Sequence, residues 1–228
     1  MAFVELGCED TPMGEISLRR RRDLILDVDV YEVKLGDEYL MSSLFTVAER
    51  ALADLGLAML DRGDRLDVLV GGLGLGYTAG NVLADERVRT CVVVDALDEV
   101  IAWHRQGLLP RSEALTSDER CELVHGDFFA MAWPAGPYDA VLVDIDHTPR
   151  HVLHPSHAAF YAPDGLRRVA ERLRAGGVFG LWSDDPPDDD FLFVLREVFD
   201  DVRAEVVGFP NPFTGGTSAN TVYLGRRR

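Results

Sequence analysis

Cysteine, lysine and long apolar runs are scarce in this 228-residue sequence, and each scarcity excludes a class of protein. The three cysteines, Cys8, Cys91 and Cys121, are too scattered for a disulfide framework or a cysteine-based zinc site. Lys34 is the only lysine, so a Schiff-base mechanism would depend on that one residue. Since no apolar run reaches about 18 residues and the first residues carry no basic and apolar leader, we expect a cytoplasmic protein without a transmembrane helix or signal peptide.

Positive charge is also in short supply. The chain has 23 lysine and arginine residues against 39 acidic ones, which gives a formal net charge of -16. Nucleic-acid backbones are bound by clustered basic side chains, whereas the arginine runs Arg19–Arg22 and Arg226–Arg228 are short. We interpret these runs as solvated charge, with a partner contact as the alternative. The expected partner is a small-molecule acceptor, neutral or cationic, rather than a nucleic acid or a membrane.

Strand patterns alternate with helical patterns over most of the chain. Residues 1–46 differ, because the β-rich, alternating stretches Glu15–Arg20 and Asp27–Lys34 predict a small amino-terminal segment of antiparallel strands. Residues 47–228 are predicted to form a second domain, whose first helix is capped at Thr46. Its predicted strands are Leu66–Val70, Thr90–Val94, Glu122–His125, Ala140–Val143, Val178–Trp182, Val202–Val207 and Thr221–Leu224. Its predicted helices are Val47–Leu60, Tyr77–Asp85, Asp98–Arg105, Gly165–Leu173 and Phe191–Phe199.

Continuous apolar strands between helices are typical of a mostly parallel sheet that is covered on both faces. The last two predicted strands are separated by too short a segment for a helical crossover, so they are expected to form an antiparallel hairpin at the edge. The sequence therefore predicts an α/β fold with a seven-stranded sheet. In such a sheet, ligands bind outside the carboxyl ends of the strands.

A glycine-rich turn follows the first of these strands. The stretch VLVGGLGLGYTAG contains Gly71, Gly72, Gly74 and Gly76, which allow a tight turn and a close approach of a ligand to the backbone. The spacing is not that of the dinucleotide motif, because Tyr77 stands where the third glycine of that motif is required. The turn therefore indicates a nucleoside site without a pyrophosphate.

Acidic residues end the next two predicted strands. Asp95 lies about 20 residues beyond the turn, where a carboxylate can accept hydrogen bonds from both ribose hydroxyls. Asp127 can accept a hydrogen bond from an adenine amino group. The alternative is that the glycines only pack a helix against a strand and that the acids only cap helices.

These stretches, together with HGDFF and YDAVLVDIDHTP, resemble the spermidine synthase family. The resemblance implies the class I methyltransferase (Rossmann-like) fold of enzymes that use S-adenosylmethionine, with a small amino-terminal β-segment. It also implies that Asp95 holds the ribose, that Asp127 holds the adenine, and that Asp144 deprotonates the attacking amine. The segment MSSLFTVAE resembles the family's entry helix, whose glutamate matches Glu49.

Two departures from the family pattern concern the amine-binding residues. The family's GGGDGG turn reads GGLGLG here, and Gly74 stands at the position of the aspartate. The family's D-S-x-D-P reads D-I-D-H-T-P, so the second acid is displaced to Asp146 or replaced by His147. We therefore rank methyl transfer from S-adenosylmethionine first. The alternatives are aminopropyl transfer from decarboxylated S-adenosylmethionine to an amine acceptor and a nucleoside-binding protein without catalysis.

The stretch HTPRHVLHPSH contains four closely spaced histidines, His147, His151, His154 and His157. The stretch is interpreted as a solvated loop, with an acceptor-site base and a metal site as the alternatives. Since the spacing matches no metal motif, we predict no metal.

Asp184 and Asp185 follow a predicted strand, where they could line the acceptor pocket. The predicted catalytic residues are Asp144, Asp146 and His147. The predicted nucleoside-binding residues are Gly71, Gly72, Gly74, Gly76, Asp95, Asp127 and Glu49, and a homodimer is the assembly we consider.

Overall fold

A computed structural model describes residues 3–61, 63–131, 133–134, 136–145 and 147–228. The amino-terminal part is an antiparallel sheet in which each strand pairs with the next along the chain. Its four strands are β1 (Phe3–Thr11), β2 (Gly14–Asp23), β3 (Val28–Leu35) and β4 (Glu38–Ser42). Ile16 and Leu18 on β2 and Val33 on β3 are fully buried, and this apolar face packs against the rest of the protein.

The second sheet has seven strands. In chain order they are β5 (Leu66–Gly71), β6 (Val88–Asp95), β7 (Cys121–His125), β8 (Tyr138–Val143), β9 (Leu173–Ser183), β10 (Phe199–Asn211) and β11 (Gly216–Arg227). They lie in the order β10-β11-β9-β8-β5-β6-β7. The strands from β9 to β7 run parallel, and β11 and β10 extend the sheet as an antiparallel hairpin. The predicted α/β fold with its edge hairpin is therefore confirmed.

Helices cover both faces of this sheet. They are α1 (Val47–Ala58), α2 (Tyr77–Ala84), α3 (Asp98–Arg105), α4 (Ser112–Thr116), α5 (Pro163–Arg172) and α6 (Asp189–Val198), with a 3-10 turn at Pro155–Ala159. One buried cluster joins α1, α2 and α3 to the amino-terminal sheet, and a second joins α5 and α6 to the opposite face. Alternate residues of the central strands divide between the two clusters, because successive side chains of a strand point to opposite faces. No helix of the described ranges is long and apolar enough to cross a membrane.

Some elements differ from the prediction. Strands β1 and β4 and helix α4 were not expected; β1 is mostly exposed and lacks the alternation that marks a half-buried strand. Thr46 is the residue before α1, but its side chain makes no capping hydrogen bond. Leu173, expected to end a helix, begins β9 instead. Because one apolar cluster contains residues of both the amino-terminal sheet and α1, the division at residue 46 stays a prediction.

Candidate active site

The carboxyl ends of β5, β6 and β8 meet at one edge of the sheet, as their parallel pairing requires. Gly71 at the end of β5 is in register with Val94 on one side and with Val143 on the other. The next residues, Asp95 and Asp144, therefore flank the glycine turn, which we define as residues 71–76. Backbone hydrogen bonds fix this arrangement, since the Asp144 N–H donates to the Gly71 carbonyl over 2.8 Å.

The glycine turn is shaped by contacts with the protein itself. At Gly72, where φ is +91°, a Cβ atom would lie 2.1 Å from the backbone oxygen of Asp144. A side chain there would collide with a neighbouring strand end, so this glycine is needed for backbone packing. Gly74 also has a positive φ, of +49°, but the nearest atom to its Cβ position is the Met41 sulfur at 3.2 Å. Gly71 and Gly76 are buried in the turn. Ligand approach to these four glycines stays a prediction.

Asp95 holds the glycine turn to the second strand. Its Oδ2 accepts the Leu73 N–H over 2.8 Å, and its Oδ1 accepts the Leu97 N–H, also over 2.8 Å. Burial raises the pKa of Asp95, although these backbone N–H groups oppose the rise. An ionised carboxylate has about four acceptor positions, and the N–H groups of Leu73, Leu97 and Gly74 take three of them, so about one remains for another donor. This geometry is compatible with the predicted ribose contact, which stays a prediction.

Asp127 is exposed and organises its own turn. Its Oδ1 accepts the N–H groups of Phe129 and Ala130 over 2.9 and 3.2 Å. Next to it, the Phe129 ring stacks on His157 with a centroid distance of 3.8 Å. These bonds cap a turn and not a helix, which is what the alternative for this acid assumed. The adenine contact predicted for Asp127 stays untested.

Glu49 and Asp144 are linked through the Thr78 hydroxyl, which contacts the backbone of the first and the carboxylate of the second. Thr78 Oγ1 lies 2.7 Å from Asp144 Oδ2 and 3.1 Å from the Glu49 carbonyl oxygen. Burial raises the pKa of Asp144 to about 6, against the opposing hydrogen bond from Thr78. Burial, and then the negative charge of Asp144, raise the pKa of Glu49 to about 8. Two neighbouring carboxyl groups that share a half-buried site cannot both ionise easily.

A third carboxylate, Asp184, faces this pair from the end of β9. Its charge contributes to the raised pKa of Glu49. Asn220 Nδ2 donates to Asp184 Oδ1 over 2.6 Å, which orients the carboxylate. We call Glu49, Asp144 and Asp184 the acidic cluster. Within the described part of the chain these three carboxylates form no ion pair, although the positive charge of Arg50 opposes the rise in the pKa of Glu49.

His147 lies beside this cluster and faces the amino-terminal sheet. Its Nε2 is 3.4 Å from Glu38 Oε1, and its backbone oxygen accepts the Asp184 N–H over 2.8 Å. The His147 and His151 rings are 5.1 Å apart. Asp146, which was also predicted to be catalytic, lies outside the described residues. Among the residues that the structure does describe, no three His, Cys, Asp or Glu side chains come together as metal ligands.

Sequence reasoning did not identify Thr78, Asn220 or His104. Thr78 and Asn220 orient two carboxylates of the acidic cluster, and His104 Nε2 lies 2.9 Å from the Gly74 carbonyl oxygen. Only the position of Thr78, two residues after the glycine turn, gave a usable signal. Asn220 and His104 lie far from their partners in the sequence, so no local pattern indicates these contacts.

A curated protein is similar to this chain in sequence. Polyamine aminopropyltransferase 2 of Pseudomonas aeruginosa is 33% identical over 166 residues, which cover 67% of this chain and 46% of that protein. The chain thus spans about half the length of the curated relative that it matches, at 46%. No family model matches the chain.

Solved structures share the fold. A spermidine synthase in complex with the transition state analogue AdoDATO superposes with a TM-score of 0.75, at 17% identity, over 98% of this chain and 74% of that one. The spermidine synthase of Thermotoga maritima gives 0.73 at 18% identity, over 98% and 73%. A probable spermidine synthase of Corynebacterium glutamicum gives 0.68 at 15% identity, over 96% and 79%. At such identities these likenesses show the fold alone. In sequence and in fold the chain is thus spermidine synthase-like, which confirms the resemblance drawn from its motifs.

Proposed function

We propose that the chain transfers an aminopropyl group from decarboxylated S-adenosylmethionine to a small amine. The observation that carries this proposal is the acidic cluster beside the glycine turn. Carboxylates that form no ion pair within the described residues, at the edge of a sheet that carries a glycine turn, suit an acceptor that arrives as an ammonium ion. The 33% identity to a polyamine aminopropyltransferase supports the same reaction class.

In this proposal the two parts of the site have separate tasks. The glycine turn and Asp95 hold the nucleoside, with the remaining acceptor capacity of the Asp95 carboxylate directed to the ribose. Asp127 and the aromatic residues beside it lie on the adenine side. The acidic cluster binds the amine and places its nitrogen for an in-line attack, which is how an enzyme lowers the barrier of a two-substrate transfer.

Asp144 is the general base of the proposed reaction. An ammonium ion cannot attack, so the acceptor nitrogen must lose a proton before or as its bond to carbon forms. With a pKa of about 6 for Asp144 and about 8 for Glu49, the pair carries one negative charge near pH 7. The nitrogen then bonds to the propyl carbon next to the sulfonium, the carbon–sulfur bond breaks, and the neutral thioether nucleoside leaves. Asp144 takes the proton.

Methyl transfer, which the sequence ranked first, is the second candidate. One observation favours it: Gly74 carries no carboxylate, and Met41 lies over that position with its sulfur 3.2 Å from where a Cβ would be. The donor side of the site therefore has an apolar thioether where an acid could have met a donor ammonium. We place this candidate second because the similar proteins are aminopropyltransferases and spermidine synthases.

A donor comparison tests the proposal. The purified protein is incubated with putrescine and either decarboxylated S-adenosylmethionine or S-adenosylmethionine, and the products are separated by chromatography. We expect 5′-methylthioadenosine and a longer polyamine from the first donor only. S-adenosylhomocysteine from the second donor would favour methyl transfer. Nucleoside binding by calorimetry without any product would favour a binding protein that has no catalytic activity.

A further inference from the structure

His104 lies directly beneath the glycine turn. It belongs to α3 and is fully buried, with 0% of its surface exposed. Its Nε2 is 2.9 Å from the Gly74 carbonyl oxygen, and its Cε1 lies 3.0 Å from the position that a Cβ of Gly76 would take. A polar ring in such close contact with the turn can determine how the turn is held.

The surroundings of His104 fix which ring nitrogen carries the proton. A carbonyl oxygen can only accept, so Nε2 must donate to Gly74. On the other side of the ring, Nδ1 lies 3.4 Å from Ser112 Oγ, which itself accepts the Leu109 N–H. The Ser112 hydroxyl proton is therefore free to point at Nδ1. Burial lowers the pKa of His104, which keeps the ring neutral.

The turn is consequently held from two sides. The carboxylate of Asp95 accepts the Leu73 N–H and also faces the Gly74 N–H, while His104 binds the Gly74 carbonyl. Because N–H and C=O of a trans peptide point in opposite directions, a Gly74 carbonyl directed at α3 aims the Leu75 N–H away from α3. In the described ranges the Leu75 N–H has no hydrogen-bond partner of its own.

We infer that His104 is a positioning residue that sets the Gly74–Leu75 peptide and keeps its N–H available as a donor for the nucleoside. This inference rests on the proposed function for the identity of the ligand, but the hold on the turn is a property of the free protein. His104 would thus contribute to the nucleoside site from beneath the glycine turn, without lining the site itself. His104 does not touch the reacting atoms.

Three variants test the inference through 5′-methylthioadenosine, the thioether product of the proposed reaction. His104→Leu removes the donor, and we expect about tenfold weaker binding by calorimetry, with a raised KM for the donor substrate and an unchanged kcat. His104→Gln places an amide N–H near the original Nε2 and should restore most of the affinity. Leu195→Ala, which opens a space in α6 on the opposite face, should lower the melting temperature and leave the affinity unchanged. Equal affinities of the Leu variant and the wild type would overturn the inference.

Two measurements on the ligand-free protein separate this inference from the proposed function. Nitrogen-15 NMR of the wild type should show the Nε2–H tautomer of His104, and the Nδ1–H tautomer would overturn the inference even if no variant folds. Amide exchange of residues 71–77 should speed up in His104→Leu and return in His104→Gln, and unchanged exchange would also overturn it. If the wild type binds no nucleoside at all, the proposed function fails. The tautomer of His104 and the amide exchange of residues 71–77 would still decide whether His104 holds the turn.

Discussion

At the amino ends of the central strands two aspartates meet arginines, whereas at the carboxyl ends the acids meet each other. Asp67, near the start of β5, is bound by the guanidinium groups of Arg89 and Arg174 and by the Thr90 hydroxyl. Asp139 on β8 accepts the Asp67 N–H over 2.8 Å and lies 3.2 Å from Arg174 Nε. At the other end of the same strand, the Asp144 carboxylate meets the Thr78 hydroxyl and acts on the neighbouring Glu49, and within the described residues no arginine pairs with it.

The pKa values at the two ends move in opposite directions. Burial acts to raise the pKa of Asp67, but the hydrogen bonds from Arg89, Thr90 and Arg174 outweigh it and lower the value. At Asp144 burial outweighs the hydrogen bond from the Thr78 hydroxyl and raises the pKa to about 6. Ionised Asp67 therefore stabilises the fold. Asp144 and Glu49 make the fold less stable when they ionise, and acids with such raised pKa values are typical of functional sites.

The largest effect that would sharpen this contrast is expected for Asp144→Asn. The amide keeps the oxygen that Thr78 can bind but cannot take a proton from the acceptor amine. We expect kcat to fall by about 10²- to 10⁴-fold, the range for a lost general base, with little change in donor affinity. Product formation by chromatography and nucleoside titration by calorimetry measure the two quantities.

Asp139→Asn is the matched control on the same strand. It should reduce stability and leave kcat per folded molecule near that of the wild type, because Asp139 lies at the end of β8 away from the acidic cluster. If both variants lost activity to the same extent, the two ends of the sheet would not differ in function, and Asp144 would lose its assigned role.

Asp95 tests a case between these extremes, because its partners are backbone N–H groups. Asp95→Ala removes the anchor of Leu73 and Leu97 as well as the predicted ribose contact. We expect a loss of about 2–4 kcal/mol in nucleoside binding, or about 30- to 1000-fold. Asp95→Asn, whose amide oxygen still accepts, should bind with intermediate affinity. A folded Ala variant with wild-type affinity in calorimetry would rule Asp95 out of the nucleoside site.

The contrast also explains which parts of the molecule the sequence could predict. The strand ends were predictable, because apolar runs such as Val68–Val70 and Ala140–Val143 stop at glycine or aspartate. Helix α3 was predicted with its observed bounds, Asp98–Arg105, since acidic residues open it and basic residues close it. The parallel sheet then places Asp95 and Asp144 at one edge without further information.

What the sequence could not predict depends on contacts between distant residues. Thr78 and Asp144 are 66 residues apart, Asn220 and Asp184 are 36 apart, and His104 and Gly74 are 30 apart. Each contact forms only when two elements pack against each other, so no local sequence pattern predicts it. For the same reason, the sequence suggested that Gly72 makes room for a ligand, whereas in the structure a Cβ atom at this position would collide with the backbone oxygen of Asp144.

Stability provides a smaller effect, whose sign should differ between the two ends. Folding lowers the pKa of some carboxyl groups, and such a group stabilises the protein fully at a pH above the pKa that it has in the unfolded chain. This stabilisation is lost as the pH falls through the pKa of the folded state. Asp67→Asn should therefore destabilise the protein at pH 8 by about 1.5–3 kcal/mol, the range for hydrogen bonds to charged groups. Asp144→Asn should raise the melting temperature at the same pH, because the raised pKa of about 6 means that ionisation of Asp144 is unfavourable in the fold. A lower melting temperature for both variants in calorimetric scans would remove the contrast.

The smallest expected effect concerns the coupling inside the acidic cluster. In the wild type, kcat/KM should rise with pH as the pair loses its first proton near pH 6, because only ionised Asp144 can act as a base. A second, weaker inflection should follow near pH 8, where Glu49 ionises. Glu49→Gln should abolish the second inflection and leave the first in place, with less than about a tenfold change in rate between the two plateaus. If the lower inflection instead disappeared and the upper one remained, Glu49 would be the group that ionises first, and the base would have to be reassigned from Asp144 to Glu49.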